Sequence, residues 1–147
     1  MLGLDRTRAA EWATRATGYA VSEATLRHWE RRALLRPQQP GHRVPCLYRL
    51  DDLVRLSALA ILRRDGASLQ RITRAMRSLR HFLPEIEPHP GAWRLAVVAS
   101  GDVVRIENDR QALELTRQPG QIAFLDAGAL KAEAQAAIEE HAARASA

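Results

Sequence analysis

The sequence lacks the features that mark several common classes of protein. Its 147 residues include one cysteine, Cys46, so a secreted scaffold held together by internal disulfides is excluded. No run of about 18 uncharged apolar residues occurs, so no membrane-spanning helix is expected. Residues 1–6 lack the basic start and apolar run of a signal peptide. We therefore expect a cytoplasmic protein, long enough to bury a hydrophobic core without disulfides.

Residue patterns that carry catalysis or hold metals are equally scarce. The sequence contains no glycine-rich phosphate loop, no nucleophile elbow and no paired His/Cys motif. A single thiol cannot close a soft-metal site, which needs two to four ligands, so Cys46 is expected to be an ordinary residue rather than a redox or modification site. We therefore expect a protein that is not an enzyme and that needs no metal or cofactor.

Charge is abundant but unevenly distributed. Residues 1–83 hold 16 arginines and 7 acidic residues, whereas residues 84–147 hold 6 basic and 10 acidic residues. A GC-rich genome would explain the preference for arginine over lysine, but it would act on both halves alike. The asymmetry therefore indicates that the basic half binds a polyanion and that the acidic half has another task.

The first half shows apolar residues at helical spacing, with capping residues where helices are expected to begin. Prolines and Gly41 interrupt this pattern between the second and third predicted helices, where short extended pieces are expected to form a small basic hairpin. This order is typical of a winged helix-turn-helix. The predicted elements are a helix over 5–20, a helix from the cap Ser22 to about Leu34, hairpin pieces at His42–Val44 and Leu47–Leu50, a helix from the cap Asp51 to Gly66, and a helix from the cap Ser68 to about Leu79.

The second half follows a proline-rich segment, 84–91, which is predicted to be a linker. Apolar runs and turn residues then predict strands at 93–99, 103–107 and 121–125. Residues 112–116 are ambiguous between strand and helical turn, and a weakly amphipathic helix is predicted over about 127–143. The predicted fold class is α+β, with a mostly α winged helix-turn-helix domain over 5–83, the linker, and a small antiparallel sheet with a C-terminal helix over 92–147.

The second predicted helix and the hairpin concentrate the residue types that contact DNA. A recognition helix presents short polar and long basic side chains from its first turns to base edges and phosphates, and a basic hairpin can lie along the backbone. The candidate DNA-binding residues on these grounds are Ser22, Thr25, Arg27, His28 and Arg31, followed by Arg32, Arg36, His42, Arg43 and Arg49.

Several of these segments resemble one family. Residues 21–37, VSEATLRHWERRALLRP, resemble the DNA-reading helix of MerR-type transcription regulators. Residues 41–43 and 48–56 are similar to that family's wing and following helix, and residues 62–72 to its next helix–glycine–helix junction. The resemblance covers about residues 9–80, just over half of the chain.

The resemblance implies a homodimer that binds a near-palindromic promoter in double-stranded DNA, and hence a nucleoid-associated location in the cytoplasm. It also implies that Trp29 packs inside, against the first helix. The residues that it places on DNA are Thr25, Arg27 and His28 from the helix, and Arg43, Tyr48 and Arg49 from the wing.

The sequence departs from the family pattern at four places. Ala20 stands where the family usually has a tight-turn glycine, with Gly18 two residues earlier, and His28 stands where an aromatic residue is usual. The wing has extra residues at 44–47. The long dimerisation helix of other members is absent after residue 83.

The acidic half is assigned to dimerisation or partner binding first, and to binding of a small-molecule effector second. A dimer would supply two half-site contacts and would cover the edge of the first predicted strand. An alternative function is an antitoxin-like DNA-binding protein whose acidic half binds a partner protein. A drug-binding regulator would instead need an apolar pocket around Trp93, Phe124 and Leu125.

Overall fold

The computed structural model describes residues 2–38 and 46–146, and in them the chain is a mixed α+β protein, as predicted. Four helices precede a three-stranded antiparallel sheet, which a further helix interrupts and a long C-terminal helix follows. The elements are α1 (Arg6–Thr17), α2 (Glu23–Arg31), α3 (Leu50–Arg64), α4 (Leu69–Leu79), a 3₁₀ turn (Leu83–Glu85), β1 (Arg94–Val97), β2 (Val103–Ile106), α5 (Asp109–Thr116), β3 (Ala123–Asp126) and α6 (Ala127–Ala145).

The turn between α1 and α2 depends on one glycine and one threonine. Gly18 ends α1 in the left-handed conformation, with φ of 73°, and its N–H donates to the carbonyl of Thr14. The Thr14 hydroxyl accepts from the Val21 N–H at 2.9 Å, which fixes the chain as it enters α2. The missing glycine at position 20 is therefore replaced in the fold by Gly18, which supplies the positive φ.

Helix α2 ends earlier than the apolar pattern indicates. It was predicted to reach Leu34, but it ends at Arg31, because Ala33 adopts a left-handed conformation with φ of 58°. The N–H of Leu34 then bonds to the carbonyl of Trp29 at 3.0 Å, which buries Leu34 without continuing the helix.

The conformation of Ala33 predicts that Ala33→Gly stabilises the protein. A side chain at positive φ costs about 1–2 kcal/mol, and the extra chain entropy of glycine offsets part of that gain, so we expect a net increase of about 0.5 kcal/mol in the free energy of unfolding. Urea unfolding measures it. The matched control is Ala136→Gly on the exposed side of α6, which should destabilise by about 0.5–1 kcal/mol. If both substitutions stabilised the protein, or both destabilised it, the left-handed conformation assigned to Ala33 would be contradicted.

Helix α3 is the centre of the molecule, and α1, α4 and α6 all pack against it. Nine consecutive or nearly consecutive residues of α3, from Leu53 to Leu62, are buried. The helix begins at Leu50, one residue before the predicted cap Asp51, because the Asp52 carboxylate accepts from the N–H of Arg49 at 2.9 Å. Helix α4 is as predicted, with Ser68 as its cap.

The segment 84–91 is packed against the protein. Leu83 and Ile86 are buried, and the buried Lys131 of α6 donates to the carbonyl of Leu83 at 3.2 Å. A Cβ atom at Gly128 would clash with the carbonyl oxygen of His89, so the first turn of α6 lies directly on this segment. Buried residues from before and after 84–91 belong to one continuous hydrophobic core. The division into two domains joined by a linker stays a prediction.

The sheet has the strand order β2-β1-β3, with both neighbours antiparallel to β1. Leu95 pairs with Arg105 and with Leu125, so these residues share the face that looks into the core. Ala96 pairs with Val104 and with Phe124, so these residues share the outer face. Residues 112–116, which were ambiguous, belong to α5, and α5 packs on β2.

Helix α6 has a stronger structural role than its alanine-rich sequence indicates. Leu130, Ala134 and Ile138 are buried, and the helix packs on α3 and α1. Small side chains allow this close approach, although they give little apolar periodicity. The acidic half therefore completes the core of the basic half.

Candidate nucleic-acid interface

Helix α2 has one buried face and one exposed face. Leu26 and Trp29 are buried, as the resemblance implied for Trp29, and α2 packs on α1. Arg27, His28 and Arg31 are exposed. Because Leu26 and Trp29 are three residues apart, they lie on the same, buried side of the helix, and the basic residues lie on the opposite side.

The N-terminal end of α2 is organised by Ser22. Its hydroxyl accepts from the N–H of Thr25 at 3.1 Å and lies 2.9 Å from the Thr25 hydroxyl. Ser22 is exposed and Thr25 is half-buried, and both lie at the end of the helix where backbone N–H groups are free to meet an anion. This geometry brings the two predicted polar contacts together at one end of α2.

The basic side chains of α2 are available to a ligand. Among residues 2–38 and 46–146, no hydrogen bond or ion pair is formed by the side chains of Arg27, His28 or Arg31. The two acidic residues of the helix are both engaged, because Glu23 accepts from Thr7 at 2.8 Å and Glu30 is paired with Arg6. The exposed face of α2 is therefore positively charged.

A cluster of four side chains, Arg6, Glu30, Cys46 and Tyr48, holds α2 against its neighbours. Arg6 of α1 donates to both carboxylate oxygens of Glu30, at 2.9 and 2.7 Å. The Tyr48 hydroxyl donates to Glu30 at 2.8 Å, and the Cys46 thiol lies 3.8 Å from the same carboxylate. We call this set the Glu30 cluster. It joins α1, α2 and the chain that enters α3.

The Glu30 cluster changes the ionisation of its members. Burial by itself would raise the pKa of Glu30, but the hydrogen bonds from Arg6 and Tyr48 outweigh it and hold the pKa below its ordinary value of 4.5. Burial and the hydrogen bond to Glu30 raise the pKa of Tyr48 far above its ordinary range. Burial, followed by the charge of Glu30, also raises the pKa of the Cys46 thiol. Glu30 is thus a stable anion and its partners stay protonated.

Tyr48 lies in the core rather than on the surface of the wing. Tyr48 was expected to contact the DNA backbone, but its side chain is completely buried and its hydroxyl is used by Glu30. Cys46 is likewise buried. The resemblance located Tyr48 in the chain but did not indicate its partner Glu30, which is 18 residues away in the sequence.

The base of the wing is closed by short backbone pairings. Leu47 donates to the carbonyl of Gln38 at 2.9 Å, and Leu4 and Tyr48 exchange two hydrogen bonds of 2.8 and 2.7 Å. The predicted strand 42–44 and the candidates His42 and Arg43 lie outside the described residues. Arg49 is half-buried at the N-terminus of α3, next to this base.

The three residues predicted to form an apolar effector pocket are not brought together. Phe124 and Leu125 are neighbours on β3, so they lie on opposite faces of the sheet; Phe124 is 46% exposed and Leu125 is buried. Trp93 is buried, with the Arg105 guanidinium 3.5 Å from the ring centroid and Phe82 in edge contact. Trp93 is therefore a core residue, covered by a cation–π contact.

Across the described part of the chain, no group of three or more His, Cys, Asp or Glu side chains is arranged to hold a metal ion. No helix in that part combines the length and the apolar character that crossing a membrane requires.

Comparison with known proteins identifies the helix-turn-helix. Residues 16–79 match the family model of MerR HTH family regulatory proteins, and the region after them matches no family model. No curated protein matches the chain. The matched region contains the turn, α2, the wing and α3 to α4, so residues 16–79 are a MerR-type helix-turn-helix region of the kind found in DNA-binding transcription regulators.

Proposed function

Because residues 16–79 are a MerR-type region, we propose that the protein is a non-enzymatic transcription regulator that binds a near-palindromic operator as a homodimer. Helix α2 enters the major groove with its exposed face, and the wing lies on the backbone. The observation that carries the proposal is the exposed face of α2, where Arg27, His28 and Arg31 have no intramolecular partner among the described residues.

The proposed contacts divide into two kinds. Thr25, Arg27 and His28 lie in the first two turns of α2, where side chains reach base edges. Ser22 and Arg31 lie at the two ends of α2, and we assign them to phosphates, together with Arg49 at the start of α3 and Arg43 of the wing. Tyr48 takes part indirectly, by holding Glu30 and therefore the orientation of α2.

The homodimer follows from the small size of this surface. One helix of nine residues offers few base contacts, so useful sequence discrimination needs two half-sites that are read together. Two copies related by a two-fold axis present the same surface to each half-site, so the sequence that they read is a near-palindrome.

Arg27→Ala tests the assignment of the recognition helix. We expect operator affinity to fall about tenfold to a hundredfold, since a lost base contact costs about 1–3 kcal/mol, and sequence preference to relax at one base pair of each half-site. The measurement is fluorescence anisotropy, at several salt concentrations, with a duplex selected in vitro by the wild-type protein.

The matched control is Arg144→Ala, which removes the same charge from α6, where Arg144 is paired with Glu140 at 2.6 Å. It should leave operator affinity within about threefold and preference unchanged. If Arg27→Ala behaves like Arg144→Ala, α2 is not the helix that reads the operator.

A further inference from the structure

The two edges of the sheet differ in whether their outward backbone groups are hydrogen-bonded within the chain. The outer edge of β2 is capped by side chains: the N–H of Val103 donates to the Ser78 hydroxyl at 2.9 Å, and Gln111 donates to the carbonyl of Arg105 at 2.9 Å. The same Gln111 side chain accepts from the N–H of Glu107 at 2.8 Å. Three outward groups along this edge, at Val103, Arg105 and Glu107, are therefore satisfied within the chain, and the side chains that satisfy them block the pairing of another strand.

The edge of β3 has no such protection. Val98 pairs with Asp102 through its N–H, so the even-numbered residues of β1 bond to β2 and the odd-numbered residues bond to β3. The register of β1 with β3 then turns the N–H and C=O of Phe124 outward. Within residues 2–38 and 46–146, nothing hydrogen-bonds to the outward groups of Ile122 or Phe124.

The surface around this edge is apolar and nearly neutral. Phe124 projects from the outer face of the sheet at this edge and is 46% exposed. On the same face, Arg94 of β1 is paired with Asp109 at 2.9 Å, and the carboxylate of Asp126 accepts from the N–H groups of Gly91 and Ala129. This surface does not repel a copy of itself, unlike the basic half of the protein.

We propose that β3 pairs antiparallel with β3 of a second copy across a two-fold axis, which joins two three-stranded sheets into one of six strands. The proposal rests on the proposed function, since it supplies the interface that a homodimeric regulator needs. A strand that pairs with itself across a perpendicular two-fold axis is necessarily antiparallel, and its two contact patches are identical. The open edge of β3 can pair in this way, because the apolar patch beside it would then meet a copy of itself.

The geometry also selects a register. Centring the axis on Phe124 pairs it with Phe124 of the partner subunit and pairs Ile122 with Asp126 of the partner subunit. This arrangement uses the outward groups of Ile122 and Phe124 together with the N–H of Asp126, whose carbonyl belongs to the first turn of α6. A shift by one residue in either direction leaves fewer of these groups paired. The two Phe124 rings then lie side by side on the outer face and cover each other.

Phe124→Lys tests the interface, because it opposes two positive charges at the axis without changing a buried residue. We expect the wild-type protein to sediment as a dimer and Phe124→Lys to raise the dimer dissociation constant at least a hundredfold, with an unchanged far-ultraviolet circular dichroism spectrum. The matched control is Leu69→Lys, since Leu69 is 47% exposed and lies on α4, which packs on β2 at the other edge of the sheet; it should remain dimeric. A dimeric Phe124→Lys, or a monomeric wild type, overturns the interface.

Phe124→Cys provides a second readout that does not depend on charge. Paired Cα atoms at the axis would be about 5.5 Å apart, within the range of a disulfide, so mild oxidation should give a covalent dimer. Wild type, with only the buried Cys46, and Leu69→Cys should not cross-link. Failure to cross-link overturns the Phe124 register.

Operator binding distinguishes this inference from the proposed function. If the interface is right, Phe124→Lys binds an isolated half-site like wild type but loses the tight two-protomer complex on the full operator. If the wild-type protein binds no operator, the proposed function is wrong. If wild type binds the full operator as a dimer and Phe124→Lys does the same, the interface alone is wrong.

Discussion

Ala134→Asp is expected to lower the free energy of unfolding by about 3–5 kcal/mol, because it places an unpaired carboxylate in the core between α6 and α3. Ala134 is completely buried. A protein of this size has a total stability of about 5–15 kcal/mol, so the variant loses a large fraction of it and should unfold at a much lower urea concentration than wild type. Because α3 packs on α1, and α1 packs on α2, operator binding should be lost in the same transition.

The measurement is urea unfolding followed both by far-ultraviolet circular dichroism and by the fluorescence of Trp12, Trp29 and Trp93, two of which lie in the basic half and one in the acidic half. In wild type we expect the two signals to report a single transition, since the buried residues form one core. The control is Ala136→Asp, two residues along on the exposed side of α6, which should change stability by less than about 0.5 kcal/mol. Two separate transitions in Ala134→Asp, one of them at the wild-type midpoint, would show two independent domains.

Glu30→Ala should cost about 2–3 kcal/mol of stability. It removes the acceptor of the fully buried Tyr48 hydroxyl, which then lacks a partner, and it leaves the partly exposed Arg6 unpaired. Urea unfolding measures the loss. Glu140→Ala removes a carboxylate from an exposed pair with Arg144 and should change stability by less than about 0.5 kcal/mol. Equal effects of the two changes would contradict the structural role of the Glu30 cluster.

The same variant should also change how stability depends on pH. The folded pKa of Glu30 is depressed, so its ionised form contributes stability above the unfolded pKa, and that contribution is lost as the pH falls through the folded pKa. The gap between wild type and Glu30→Ala should therefore be largest near neutral pH and shrink on acidification below 4.5. A gap that stays constant to low pH would mean that the ionised carboxylate is not what stabilises the cluster.

Local signals were sufficient for the elements of the basic half. Ser22 and Ser68 are N-caps at the predicted positions, and the spacing of Leu26 and Trp29 correctly predicted which side of α2 is buried. These features depend on neighbours within a few residues, which is why the pattern predicts them. The candidate contacts on α2 follow from the same spacing, since what is not buried on a helix faces solvent.

The errors arose where a distant group decided the outcome. Helix α2 stops before Leu34 because Ala33 adopts a left-handed conformation that lets Leu34 enter the core, and helix propensity alone does not predict this. Tyr48 turns inward because Glu30 and Arg6 meet it there, and Phe124 and Leu125 fall on opposite faces once the strand is formed. In the first two cases packing against the core outweighed the local preference, whereas the separation of Phe124 and Leu125 follows from the alternation of side chains along β3.

By itself the sequence determined the α+β class, the helix-turn-helix region and the basic face of α2, because charge, capping and apolar period are properties of short segments. Only the tertiary structure decided that α6 completes the core of the basic half, that Glu30 ties three elements together, and that one sheet edge is capped while the other is open. Those features depend on contacts between residues far apart in the chain, such as Lys131 with Leu83 and Gln111 with β2, and such contacts exist only after the core has placed them.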